Sequence, residues 1–527
     1  MSGINVLIVG AGPAGLAAAL RLKQRLNKAG RDESVVVLEK ASRLGYHTLS
    51  GAVFEADCLD ELTPGWRESN DPFVKSMVKV ERDDLLYLTS KNAYQIPRFA
   101  IPSGMRHDKD YTMSLGRMVE WLGRLAEKEG VEIHTGFAGG SLLMDGGEVR
   151  GVKLVDLGLD QEGKPKPNYM AGEEILADVT VFGDGARGVI SRQFIEKIGD
   201  GRNPQVYSLG VKQLIKLPPG HAFGNNRAIH TIGYPNRPGV FGGSFMYSMG
   251  GDVVAIGLIL GLDWKYQDLN PQQELELLKT HPFVRNLLQD GQVLVSGVKT
   301  IPEGGYYALP ELYADRGLLL GDAAGVVNMK KIKGVHYAIR SGMCAADAIF
   351  ESIQKGDYSR NALRQYRNNL EERGMLSELR KARNFRQAFK FGLYVGAPLS
   401  LMQALIPGRL GMHKDYQAMR QGAKIEREPG VGMDKAQFVS FSGTGHREDE
   451  PAHVKIKDAA ICVECSQTYG NPCIYFCPGE VFRMKGEEMI LSASNCLHDG
   501  SCEVKCPLQN VKWTPPEGGE GPHFKRM

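Results

Sequence analysis

The apolar run Val6-Leu7-Ile8-Val9, followed at once by Gly10-Ala11-Gly12-Pro13-Ala14-Gly15, constrains this chain more than any other feature. Four apolar residues without alternation read as a parallel strand buried on both faces. The stretch after the glycines, Leu16 to Leu22, reads as a helix. Gly10 permits the tight turn, Gly12 lets backbone approach a pyrophosphate, and Gly15 lets helix pack on strand. Phosphates would sit on the free amides of that helix N-terminus. A second apolar strand, Val35 to Leu38, ends on Glu39, placed to accept a hydrogen bond from a ribose hydroxyl. The polar insertion Asn27 to Glu33 accounts for a longer spacing than usual. The fold class expected is α/β (α+β mixed), built on a Rossmann-type dinucleotide domain.

Two later segments decide which dinucleotide. Asp178 to Phe182 leads into Gly183-Asp184-Gly185, a strand ending in an Asp-Gly turn. Gly317 to Leu320 leads into Gly321-Asp322-Ala323-Ala324-Gly325, where Asp322 is placed to hold a ribityl chain and the following amides a flavin ring. Each alone is only a turn. In this order they resemble the flavoprotein hydroxylase and reductase superfamily and point to FAD, held by Gly10, Gly12, Gly15, Glu39, Asp184, Gly321 and Asp322. Strand-like stretches such as Gly242 to Tyr247 and Val253 to Leu260 lie between these motifs. They predict a substrate-side sheet inserted into the dinucleotide fold, so the domain boundaries are discontinuous.

The bulk figures exclude several classes. A chain of 527 residues needs more than one core. Its 64 basic residues nearly balance 61 acidic ones, which argues against nucleic acid as a partner. The first residues lack a basic region before the strand, so no signal peptide is expected, and no apolar run is long enough to predict a membrane-spanning helix. From Phe391 to Gly408 there is no charge, but Pro398 and glycines interrupt the run. Lys381, Arg383, Arg386 and Lys390 precede it, and Arg409 and Lys414 follow. That pattern fits a segment lying in a bilayer interface with cations meeting headgroups. It also fits a buried helix pair with solvated ends.

Seven of the nine cysteines fall between Cys462 and Cys506. They form Cys462-x2-Cys465-x7-Cys473-x3-Cys477-Pro478 and Cys496-x2-Asp499-x2-Cys502-x3-Cys506-Pro507. The second follows the bacterial ferredoxin run with aspartate in one ligand position. The first follows it with a longer gap. Zinc ribbons favour paired Cys-x2-Cys knuckles, so the Cys-x3-Cys-Pro endings favour iron–sulfur. If each run lends its Cys-Pro cysteine to the other's cluster, as in two-cluster ferredoxins, Cys496, Asp499, Cys502 and Cys477 make one site. Cys462, Cys465, Cys473 and Cys506 make another. The alternative is one cluster in which Cys506 replaces Asp499, with the first three cysteines idle or holding zinc.

Over nearly its whole length the chain resembles the electron-transfer flavoprotein:ubiquinone oxidoreductase family. The resemblance is carried by Gly10 to Gly15, Leu49-Ser50-Gly51-Ala52, Phe241 to Phe245 and Gly261-Leu262-Asp263. It continues through Ile301 to Gly305, Lys331 to Gly334, Ser442-Gly443-Thr444, Phe476-Cys477-Pro478 and Pro515 to Gly519. It implies a monotopic membrane enzyme with FAD, quinone and 4Fe–4S domains that passes electrons from electron-transfer flavoprotein to quinone. It implies that Gly242 and Gly243 meet the quinone head and that Asn328 lies beside the flavin. Family members carry one cluster, on the cysteine matching Cys477 and three positions in the last motif. Two departures stand out. Gly334-Val335-His336 replaces Gly-Thr-His, removing a hydroxyl near the flavin, and four extra cysteines accompany Asp499.

The domain layout expected is FAD domain at 1–95, 113–200 and 301–350, with a membrane-contact hairpin at 96–112. The quinone domain spans 201–300, a helical membrane-contact region 351–440, and a ferredoxin-like 4Fe–4S domain 441–527. No catalytic triad is evident. Asn328 and His336 are the candidate catalytic residues, His336 as a proton relay to quinone, although a lone histidine is more often structural. The expected partners are electron-transfer flavoprotein, membrane quinone (ubiquinone or menaquinone) and a peripheral membrane surface. The expected location is the cytoplasmic face of a bacterial inner membrane. Alternatives are a geranylgeranyl-reductase-like flavoenzyme and an electron-carrier subunit of a larger complex without its own turnover. Gly12→Leu should block the pyrophosphate approach and yield protein without flavin, measured as flavin released per chain; full flavin content would refute the assignment.

Overall fold

The computed structural model describes residues 3–51, 53–425 and 432–527. Strand Ile4–Val9 pairs in parallel with Val35–Glu39 on one side and Glu174–Phe182 on the other. Glu132–Thr135 and Gly317–Leu319 extend this parallel sheet outward, and Tyr313–Ala314 closes one edge antiparallel. Val6, Leu7 and Ile8 are fully buried, as their unbroken apolar run requires. The helix Pro13–Lys28 begins with proline in its first turn, where the missing N–H costs nothing. It packs on the helix Val335–Lys355. A Cβ on Gly342 would lie 2.3 Å from the Ala14 carbonyl oxygen, so the two helices touch backbone to backbone.

A second, seven-stranded sheet runs in the order Gln292–Pro302, Tyr207–Lys216, Val253–Gly261, Gly242–Ser248, Arg227–Gly233, Arg82–Leu88, Ala93–Gln95. Its strands pair antiparallel except for Arg82–Leu88, which runs parallel to Arg227–Gly233. Three boundaries drawn from sequence are thereby corrected. Arg82–Leu88 and Ala93–Gln95 lie in the stretch assigned to the FAD domain yet complete the other sheet. The boundary at 300 cuts the strand Gln292–Pro302, and that at 440 cuts the helix Lys435–Ser442. Segment 96–112 is not a hairpin. It makes two short 3-10 turns, Arg98–Ala100 and Ser103–Met105, and then a strand, Tyr111–Thr112, that pairs with Val78–Lys79. Pro97 and Pro102 lack the N–H groups a hairpin ladder needs.

Residues 360–405 fold into short helices, among them Met375–Lys381 and Leu393–Leu401, the latter with Pro398 inside it. The C-terminal region carries the helices Ala459–Tyr469, Cys473–Phe476 and Ser501–Lys505. With them are the pair Val454–Ile456 and Val511–Trp513 and the hairpin Phe482–Lys485 with Glu488–Leu491. The last two helices each end at a Cys-Pro. This region is held to the rest by Glu503, which accepts from Arg187 at 2.9 Å and Arg192 at 2.7 Å. The buried Lys505 ammonium donates to the Trp264 carbonyl, and Thr300 donates to the Asp499 carbonyl.

Gly342→Val should separate the two packed helices and cost about 1–3 kcal/mol, the usual range for overpacking a core. A lower midpoint of thermal unfolding than wild type is expected; an unchanged midpoint would show that the contact can relax.

Candidate functional site

The C-terminal ends of Ile4–Val9, Val35–Glu39 and Glu174–Phe182 open onto one cavity of about 1020 Å³, at the top of the range for small-molecule sites. Gly10 has φ +102°, and a Cβ there would lie 2.5 Å from the Gly183 carbonyl oxygen. A Cβ on Gly15 would lie 2.0 Å from the Gly10 carbonyl oxygen, whereas one on Gly12 would meet nothing and project into the cavity. Gly10 and Gly15 are thus excluded from carrying a side chain by backbone packing, while Gly12 leaves the cavity open. Glu39 accepts from the Ala11 amide at 3.0 Å and the Ala41 amide at 2.8 Å, fixing its carboxylate at the rim.

Asp184 accepts from the amides of Ile190 and Ser191 at the start of the helix Val189–Ile198. Its Oδ1 is buried without a hydrogen-bond partner. Gly321 takes φ +54°, and its amide donates to Ser341 Oγ at 3.0 Å. Asp322 faces the cavity, where desolvation pushes its carboxyl up to about 6 against the opposing pull of Lys299. An unpaired acceptor, an open approach at Gly12 and free helix-end amides are what a polyhydroxylated diphosphate ligand needs.

The same cavity continues between the sheets. Gly242 and Gly243 lie on its wall. Each also has a packing reason to be glycine: a Cβ would lie 1.9 Å from the Ile259 carbonyl oxygen and 2.3 Å from that of Thr231, respectively. Beyond them the wall is Tyr87, Leu88, Phe389, Phe391, Leu393, Tyr394 and Val395. At the opposite end it is His498, Asp499, Gly500 and Trp513. One space thus touches the glycine motif, the paired glycines, an exposed apolar helix and the last cysteine motif.

The candidates Asn328 and His336 are not on that wall. The Asn328 amide donates to the Tyr337 hydroxyl at 2.8 Å, and its carbonyl accepts from the amides of Lys330 and Lys331. His336 is buried with Nε2 3.4 Å from a Glu55 carboxylate oxygen, and desolvation pushes its pKa down to about 3. Its helix instead presents Gly334, Val335 and Ala338 to the cavity.

The sequence reading missed three lysines on the wall. Lys212 donates to Ser50 Oγ at 2.6 Å and the Tyr247 hydroxyl at 2.7 Å, and burial pushes it down to about 7. Burial likewise pushes Lys40 down to about 8 and lowers Lys299, which lies near the acids Asp322 and Asp499. The available signal for Lys212 was a charge in the middle of a strand, Tyr207–Lys216, whose neighbouring positions Leu209, Gly210 and Val211 are apolar. Also missed was a group at the glycine-pair end, Asp83, His107 and His230. His107 Nδ1 is 3.0 Å from Asp110 Oδ2, and Lys333 bridges Asp110 to Glu55.

Cys477, Cys496, Cys502 and Asp499 gather as one buried set. Burial pushes Cys477 up to about 11 and Cys496 up to about 12, and the Asp499 carboxylate raises both and Cys502 further. Asp499 Oδ1 accepts from the Ser501 amide at 2.8 Å. Cys462, Cys465, Cys473 and Cys506 surround a separate small cavity. Among the described residues, the triples with donor atoms within 4.8 Å of one another are His446–His453–His498 and Asp83–His107–His230. No three cysteines among the described residues stand that close together.

Residues 430–525 match the family model for the 4Fe–4S domain of electron transfer flavoprotein-ubiquinone oxidoreductase. Residues 207–301 match that family's ubiquinone-binding model, and residues 8–68 match an NAD(P)-binding Rossmann-like domain. The Pseudomonas aeruginosa electron transfer flavoprotein-ubiquinone oxidoreductase is 37% identical over 548 residues, covering 99% of this chain and 98% of that protein. This chain belongs to that family. The mitochondrial enzyme of Dictyostelium discoideum is 36% identical over 99% of this chain and 91% of its own length. Among solved structures, a geranylgeranyl bacteriochlorophyll reductase-like protein from Thermoplasma acidophilum superposes with a TM-score of 0.57 at 18% identity. It covers 76% of this chain and 90% of that one, a likeness of fold alone. The chain therefore combines a Rossmann-type FAD domain, a quinone-binding domain and a C-terminal ferredoxin-like 4Fe–4S domain.

Asp499 offers a hard oxygen where iron prefers thiolate, so the corner it faces should lose iron readily. Asp499→Cys is expected to raise iron retained per chain after exposure to air and to change the EPR spectrum; an unchanged count and spectrum would remove Asp499 from the ligand set.

Proposed function

We propose that this chain is a peripheral membrane oxidoreductase that takes electrons from reduced electron-transfer flavoprotein and delivers them to membrane quinone. FAD and the cluster supply the redox chemistry when bound. The observation that carries the reading is the single cavity joining the dinucleotide motif, Gly242 and Gly243, the Asp499 loop and an apolar surface. Gly10, Gly12, Gly15, Glu39, Asp184, Gly321 and Asp322 hold the dinucleotide. Gly242 and Gly243 leave the quinone head room against bare backbone. His230 and Asp83, 3.8 Å apart on that side, are placed to supply the protons that quinone reduction consumes. His107, on the same wall, pairs with Asp110, which Lys333 bridges to Glu55.

The membrane reading rests on exposed apolar side chains where water would normally demand polar ones. Phe99 is 87% exposed, Tyr394 82% and Leu405 77%, with Phe391, Val395, Leu401 and Met402 beside the last two in sequence. The Tyr394 hydroxyl meets that of Tyr87 at 3.0 Å, tying this helix to the quinone-side sheet. No helix among the described residues is long and apolar enough to cross a membrane, so the patch would lie in the interface. Lys381, Lys390, Arg409 and Lys414 are exposed around it, as an anionic cytoplasmic leaflet would favour. Arg386 does not belong with them. It is buried and paired with Glu303 at 2.9 Å and Asp263 at 2.7 Å.

Anaerobic steady-state assays with reduced electron-transfer flavoprotein, run separately with ubiquinone and menaquinone, test the reading. Reduction of neither would overturn it and leave the carrier-subunit alternative. For the surface, burying a leucine-sized side chain contributes about 1.5–3 kcal/mol. Leu401→Asp with Leu405→Asp is expected to weaken flotation with vesicles containing anionic lipid about tenfold or more, while high salt alone releases wild type poorly. Equal flotation of both proteins would place the contact elsewhere.

A further inference from the structure

We propose that Cys462, Cys465, Cys473 and Cys506 hold a second iron–sulfur cluster, on the outer side of the one held by Cys477, Cys496, Asp499 and Cys502. Three separate pieces of chain bring them together: the helix Ala459–Tyr469, the start of Cys473–Phe476, and the residue that ends Ser501–Lys505. All four line one small cavity whose other walls are mostly apolar, with Ile456, Pro472 and Leu508 among them. Asn510 supplies hydrogen bonds to sulfur. Its side-chain amide donates to Cys462 Sγ and its backbone amide to Cys506 Sγ, both at 3.3 Å. Such N–H donors tune and stabilise cluster thiolates.

None of the four is in a disulfide. Both runs end in Cys-x3-Cys-Pro rather than in paired Cys-x2-Cys knuckles, which favours a cluster over one zinc ion.

The two sites adjoin, because Cys473 and Cys477 stand one helical turn apart across Cys473–Phe476. They differ in where they face. Asp499 lines the large cavity, whereas none of the outer four does. The helix bearing Cys462 and Cys465 exposes Ala459, Ala460, Glu464, Ser466 and Gln467. The outer cluster is thus placed to accept one electron from a docked donor and pass one inward. No proton or bond changes hands. The direction of flow rests on the function proposed above; the metal site does not.

The full chain, prepared anaerobically and reconstituted with ferrous iron and sulfide, tests the site by iron and acid-labile sulfide per chain. About seven or eight irons are expected, and a loss of about four in Cys465→Ala and in Cys473→Ala, with FAD per chain unchanged. About four irons in wild type, a stoichiometric zinc ion, or counts indifferent to both substitutions would overturn the proposal. Should the variants also lose FAD, native mass spectrometry of wild type decides by showing one cluster's added mass or two. Reduction of Cys465→Ala by reduced electron-transfer flavoprotein should be at least about tenfold slower than wild type. An unchanged rate would reject the relay role while leaving the iron count to judge the site.

Discussion

Backbone meets backbone wherever this fold is most constrained. The turn after the first strand presses against Gly183, the first helix against its own turn through Gly15, and the helix Val335–Lys355 against the first helix through Gly342. Each approach leaves no room for a Cβ, and together they bring the ends of three parallel strands to a common rim. The large cavity opens at that rim. Arg187, just beyond the Asp-Gly turn, carries the same constraint outward to the iron–sulfur region. Packing of the nucleotide motif and placement of the cysteine-rich tail are therefore one problem, solved at one place.

The glycine motif, Asp184 and Asp322 were legible because their signals are local: a turn, a strand end, a carboxylate at fixed offset. The cysteine runs stood out because ligand spacing is written along the chain; in the structure Cys462, Cys465, Cys473 and Cys506 line one small cavity that the other three clustered cysteines do not line. What the sequence hid is non-local. Nothing in Arg82–Leu88 announces that it will lie parallel to Arg227–Gly233, and that pairing moved a domain boundary. Arg386 reads as one more cation flanking an apolar run until Glu303 and Asp263, distant along the chain, capture it. His336 was named from its neighbourhood, but the rotation of its helix turns the ring toward Glu55 rather than the cavity.

The cavity wall carries opposed shifts from one cause. Desolvation lowers Lys40, Lys212 and Lys299 and raises Asp322. Lys299 lies near Asp322 on the dinucleotide side and Asp499 on the cluster side. A charge change at either acid is therefore felt by a shared lysine, which couples the two ends of the site electrostatically without any contact between them. A diphosphate ligand would favour the protonated lysines, so occupancy and the charge of the wall are linked.

Glu503 is clasped by two arginines from the FAD domain, while Lys505, two residues on, is buried against Trp264. These described contacts tie the region to the FAD domain on one side and to the quinone-side domain on the other. Many multi-centre redox proteins shuttle a mobile domain between donor and acceptor, and their turnover slows as the medium thickens. Here such a clasp would keep the centres at fixed distances through turnover. Passage between centres should be indifferent to viscosity, and any sensitivity to glycerol or crowding would belong to the encounter with the soluble donor.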